Sequence, residues 1–150
     1  GMSESTQRVQ QFLEHFTQCL GMACSISSSQ TGDGHTLMSI VAPEDARFLI
    51  GRNGQNLQAL NHIIRLVASS DQEKIIVDVN DYRQQRANEI EQLVRATVTL
   101  VRNQQKPQGL GVMTAYERRI VHTHLASYTD VTGESVGQEP ARSVVIRPLV

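Results

Sequence analysis

Apolar residues open the chain at helical spacing. Val9, Phe12, Leu13, Phe16 and Leu20 share one face, and Gly21 follows as a stop, which predicts a helix over about Ser5–Leu20. The period then shortens. Met22–Ser28 and Thr36–Val41 flank Gln30-Thr31-Gly32-Asp33-Gly34, the pattern of a β-hairpin. Pro43-Glu44-Asp45 opens a short helix, with proline early and acids in the first turn, and that helix ends at Gly51. After Gly51-Arg52-Asn53-Gly54 another helix puts Leu57, Leu60, Ile64 and Val67 on one face, with Gln58, Asn61 and Arg65 turned away. Ser69-Ser70-Asp71 breaks it, and the β-branched run Lys74–Val79 predicts a strand.

Asn80 or Asp81 is the expected N-cap of a long helix reaching about Gln104, with Ile90, Leu93, Val94, Thr97, Leu100 and Val101 as its buried stripe. Pro107 and Gly109 end it, and a short strand fits Gly109–Met113. Thr114-x-x-Glu117 has the form of a capping box. It starts a helix over about Ala115–Ala126, with Tyr116, Ile120, Val121 and Leu125 inside or partly inside. Thr132–Val136 and Ala141–Arg147 read as two strands joined by Gly137-Gln138-Glu139-Pro140. This order describes two α+β units, residues 1–80 and 81–150, rather than a doubly wound sheet. No Gly/Ser/Pro-rich linker separates them, so a stiff join through the start of the long helix is expected.

Composition narrows the class. In 150 residues, 39% are apolar, enough for a core and against wholesale disorder. No apolar run approaches the ~20 residues that span a bilayer, and no basic segment followed by an apolar stretch opens the chain. A cytoplasmic protein without direct membrane insertion is expected. Cys19 and Cys24 have no second Cys or His pair to complete a zinc site, and the five histidines do not cluster, so no metal or other cofactor is expected. An enzyme is not expected either. Glu89 and Glu91, two apart on a helix, lie on different faces, and the deaminase zinc pattern is absent. The net charge of −1 hides an asymmetry: one Arg and five acids over residues 1–45, thirteen Lys+Arg and ten acids over 46–150. A weakly basic remainder is compatible with nucleic acid, although no polybasic run supplies non-specific affinity.

Two motifs carry the chemistry. Ten glycines in 150 positions give about 0.65 chance matches to Gly-x-x-Gly, so Gly51-Arg52-Asn53-Gly54 is informative by its place between two helices. Glycines let a backbone approach another chain closely, and the helix beyond Gly54 offers unpaired N–H groups to an anion. Arg52 adds a cation at the tip. In the second motif, Tyr116-Glu117-Arg118-Arg119-Ile120-Val121-His122, Arg118 and His122 are four apart and share a helix face.

The run from Phe48 to Val79 resembles a type II KH domain, whose order is α-β-β-α-α-β. The segment from Met113 to His122, on a capped helix after a long helix and before two strands, is similar to the R-3-H (Arg-x3-His) domain, helices packed on a small antiparallel sheet. The two in this order, over about residues 20–147, resemble the C-terminal part of the bacterial Jag (SpoIIIJ-associated protein) family. That family usually has Asn-Pro where this chain has Thr114-Ala115, and Thr114 can still cap. Members commonly add a separate N-terminal Jag domain, and none is visible in these residues.

The resemblance implies single-stranded RNA binding, with single-stranded DNA as the related ligand, and for some members protein partners in envelope growth or membrane-protein insertion. Carried over residue by residue, it implies a backbone clamp at Gly51, Arg52, Asn53 and Gly54, with Gln55 reaching a phosphate or base edge. The groove floor would be apolar, made by the Leu57 helix and the neighbouring strand. Arg118 and His122 would form a second contact, supported by Arg119. The alternative is a protein–protein adaptor that docks through the KH surface. Oligomeric state is open.

Overall fold

The computed structural model describes residues 2–69 and 73–149. The chain divides into two compact units, Gly1–Arg83 and Gln84–Val150. In the first, α1 (Glu4–Cys19) is capped by the Ser3 hydroxyl, which accepts the Thr6 N–H at 3.1 Å. At its other end Met22 N–H returns to the Thr17 carbonyl, with Gly21 at φ 68°. That closure is a left-handed C-terminal cap. It uses up Met22, so β1 runs over Ser25–Gln30, later than the pattern predicts, and Leu20 lies past the helix, exposed.

β1 pairs antiparallel with β2 (Thr36–Val41), and β2 pairs parallel with β3 (Ile75–Val79), giving the order β1-β2-β3. Between β2 and β3 the chain forms α2 (Ala46–Ile50), a single 3-10 turn over Arg52–Gly54, and α3 (Gln55–Ala68). The helix–strand–strand–helix–helix–strand order expected of a type II KH domain is present throughout. Val9 and Leu13 of α1, Leu57, Leu60 and Ile64 of α3, and Met38, Ile40, Val77 and Val79 of the strands form one core. Glu73 ties three segments together, accepting from the hydroxyls of Ser3, Thr6 and Thr36 at 2.5, 2.8 and 3.2 Å. The bonds from Ser3 and Thr6 hold its carboxyl below the usual glutamate pKa. Of the expected helix break at Ser69-Ser70-Asp71, the last two positions lie outside the described residues.

Two asparagines depart from expectation. Asn61 is turned inward: its Oδ1 accepts the Val77 N–H at 2.8 Å and its Nδ2 donates to the Val77 carbonyl at 2.9 Å. β3 is an edge strand, so its outer backbone groups need a partner, and an amide side chain offers one donor and one acceptor as a strand would. Asn80, expected as an N-cap, pairs in the same two-bond manner with the Ala42 backbone. Asn80 and Asp81 both take positive φ, and the long helix α4 (Tyr82–Gln104) follows, its Arg83 N–H donating to Asp78 Oδ1. Burial pushes the Asp78 carboxyl above its usual pKa.

In the second unit, β4 (Gln108–Val112), β6 (Ser143–Pro148) and β5 (Val131–Val136) form an antiparallel sheet in the order β4-β6-β5, with α5 (Ala115–Leu125) between β4 and β5 in sequence. α4 buries Ile90, Val94, Thr97, Val98 and Val101, against Val121 and Leu125 of α5 and Val144 and Ile146 of β6. Leu93 and Leu100, expected in that stripe, are exposed. Each sits one residue, about 100° of helix rotation, off the buried line. The capping box is present in both directions: Glu117 N–H donates to Thr114 Oγ1 at 3.1 Å, and Thr114 N–H to Glu117 Oε1 at 2.9 Å. Tyr116, expected at least partly inside, is exposed. Among the described residues no helix is long and apolar enough to cross a membrane.

The edge-strand pairing makes a direct prediction. Asn61→Ala leaves the Val77 N–H and C=O without their partner and is expected to cost about 1–3 kcal/mol. Urea unfolding checks it. A loss below a few tenths of a kcal/mol would mean that water replaces the amide.

Candidate nucleic-acid interface

The tip between α2 and α3 is built around two positions that exclude a side chain. Gly51 has φ 73° and Gly54 φ 76°. A Cβ on Gly51 would stand 2.6 Å from Asn56 Cγ, and one on Gly54 2.8 Å from Tyr82 Cε1. Asn56 is fixed there because its Nδ2 donates to the Phe48 carbonyl at 2.8 Å, across the turn. Gly51 N–H closes α2 on the Arg47 carbonyl at 2.8 Å, and Gly54 N–H bonds the Gly51 carbonyl at 3.2 Å. Asn53 also adopts a left-handed conformation, φ 55°, which asparagine tolerates better than most residues. Gly51, Arg52, Asn53, Gly54 and Gln55 are therefore one continuous tip, in which Arg52, Asn53 and Gln55 are exposed and Gly54 is buried. α3 starts here, and its N-terminal partial positive charge adds to that of Arg52. Tyr82 was not foreseen: it lies 28 positions further along, and no local pattern links it to Gly54.

Beside the tip the Leu57 helix does face an apolar surface, although Leu57 itself is buried in the core. A cleft of about 580 Å³ lies among Ala59 and Ile63 of that helix, Phe48 of α2, and Phe16, Leu20 and Met22 at the end of α1, with α1 and α2 in the place of the expected strand. Asp45 is the charged residue among those lining its wall, and most of the others are apolar. Phe48 is exposed, and the Arg47 guanidinium stands over its ring at 4.9 Å.

In the second unit the two residues of the Arg-x3-His pair stand in different surroundings. Arg118 is buried, donating from Nη1 to the Met113 carbonyl and from Nη2 to Glu139 Oε1, both at 2.6 Å. His122, one turn on, is exposed, with Nε2 2.9 Å from Ser135 Oγ on β5. Gly133 lies beneath it: a Cβ there would meet Leu125 Cδ1 at 2.5 Å and His122 Nδ1 at 3.4 Å. Arg119 is exposed and, three residues before His122, shares its outer face. Glu117, next to the pair, is buried in an ion pair with Arg86 Nε. Among the described residues no group of three or more His, Cys, Asp or Glu gathers that could hold a metal ion.

The fold and these two motifs define a chain with a KH domain followed by an R-3-H domain. Comparison with known proteins agrees. Residues 10–79 match the family described as KhpA/KhpB, KH domain, and residues 88–148 match the R-3-H domain. Similar proteins named RNA-binding protein KhpB occur in Clostridium symbiosum (32% identical over 139 residues, 91% of this chain and 63% of the relative) and Bacillus subtilis (30% over 111 residues, 71% and 53%). A third, from Lactiplantibacillus plantarum, is 32% identical over 101 residues, 65% of this chain and 31% of the relative. The chain thus joins a KH domain of the KhpA/KhpB type to an R-3-H domain, and its relatives are KhpB proteins of the Jag family. It spans 31% to 63% of the length of these three relatives. They are named for RNA binding, not for a reaction.

The tip geometry is testable without a ligand. Gly54→Ala forces a Cβ into the left-handed region, costing about 1–2 kcal/mol, and presses it on the Tyr82 ring as well. In a Tyr82→Ala background the penalty should shrink to the backbone part. Unfolding of the two single variants, the double variant and the parent checks this. Strict additivity would mean that ring and Cβ do not meet.

Proposed function

We propose that this chain binds single-stranded RNA, with the phosphate backbone at the Gly51–Gln55 tip. The observation that carries the reading is the exposed Arg52-Asn53 pair held between two positions with no room for a Cβ, at the start of α3. A backbone without side chains lets phosphate approach closely, and the helix N-terminus and Arg52 supply positive potential. KH domains clamp about four nucleotides of backbone through such a loop, and unpaired strands are preferred because A-form duplex hides its major-groove edges. In the second unit the exposed Arg119 and His122 supply further contacts on the outer face of α5. The cytoplasm is the place where such a strand would be met.

Replacing Arg52 and Asn53 together by Asp tests the reading. Aspartate tolerates the left-handed backbone at position 53 and suits a helix N-terminus, so folding should survive. Two carboxylates at the phosphate position should abolish binding to short single-stranded RNA in a fluorescence-anisotropy titration. Single-stranded DNA of the same sequence, run in parallel, reports the choice of sugar. Unchanged affinity in the folded double variant would remove the tip from the site. No binding by the parent protein would leave the adaptor reading, for which the apolar cleft is the available surface.

A further inference from the structure

We propose that the Glu139 carboxylate is an internal competitor at Arg118 Nη2, the position where the Arg-x3-His resemblance implies a nucleic-acid contact. The inference rests on the RNA-binding reading and adds an internal competitor to it. The Arg118 side chain is only 10% exposed, while that of Glu139 is 59% exposed. The guanidinium is anchored independently of the acid, because Nη1 donates to the Met113 carbonyl at 2.6 Å. Nη2 therefore stays in place when its anion leaves. The loop that carries Glu139, between β5 and β6, has its own closures: Ala141 N–H to the Gln138 carbonyl at 2.8 Å and Arg142 Nη1 to the Gly137 carbonyl at 2.6 Å. It can release Arg118 without unravelling.

A carboxylate and a phosphodiester present the same anionic oxygens to a guanidinium. An exposed carboxylate is held weakly enough to be exchanged. In Arg147–Glu134 both partners are open to solvent, and in Arg86–Glu117 the acid is buried. Arg86–Glu89 also joins a mostly buried arginine to an exposed acid, but at 3.4 Å, and Arg86 holds the buried Glu117 as well. His122, four residues beyond Arg118, would meet the same strand.

The test titrates a short mixed-sequence single-stranded RNA at several salt concentrations, with melting temperatures for every variant. Glu139→Gln should bind roughly fivefold tighter, because the phosphate no longer has to displace a carboxylate from Arg118. Glu134→Gln removes the same charge elsewhere and should give a smaller gain. Glu139→Asp keeps the charge but shortens its reach and should gain in the same direction as Glu139→Gln. This second variant covers the case in which the first does not fold. Adding Arg118→Ala should erase the gain. A Glu139→Gln protein that binds no tighter than Glu134→Gln, or gains equally without Arg118, overturns the proposal while leaving RNA binding intact. A parent protein that binds no RNA at all overturns both.

Discussion

The first unit is organised around the absence of two side chains. α2 reverses into α3 within four residues, which requires left-handed backbone at Gly51, Asn53 and Gly54 and brings Asn56 and the Tyr82 ring to within 3 Å of where Cβ atoms would be. A methyl at either glycine collides with a neighbouring side chain, and at Gly51 that neighbour, Asn56, is itself held by the Phe48 carbonyl. The same constraint presents Arg52 and Asn53 to solvent at the head of a helix. One steric constraint thus shapes both the reversal of the chain and the exposure of its tip.

Around that turn, short polar side chains stand in for missing backbone partners. Asn61 serves the open edge of β3, and Asn80 joins the end of β3 to the end of β2 through Ala42. The second unit uses charge where the first uses amides. Glu117 completes its capping box and also receives Arg86, while Arg118 holds the carbonyl of Met113 at the end of β4. Each of these groups would be costly to bury alone and is satisfied by a specific partner.

Element order was legible in the sequence because helix stops, β-branched runs and the Thr114–Glu117 box are local signals. So was the position of the tip, since Gly-x-x-Gly falls between two periodic segments. What failed was facing. Periodicity assigned Asn61 to solvent because it is polar, but the unpaired edge of β3 draws it in. Periodicity assigned Leu93 and Leu100 to the core because they are apolar, but the line actually buried passes through Val94, Val98 and Val101. Arg118 and His122 looked alike as partners on one face. The structure separates them, because Arg118 faces a carbonyl and a carboxylate brought from other segments, and no spacing rule reports those.

The central claim is that the tip of the first unit is where the nucleic-acid backbone docks. The most direct measurement is an NMR titration of the isotope-labelled chain with a short single-stranded RNA. The account predicts saturable shifts of the amides from Gly51 to Gln55, with a second group on the outer face of α5 around Arg119 and His122. Saturable binding that leaves the Gly51–Gln55 amides unmoved would contradict it.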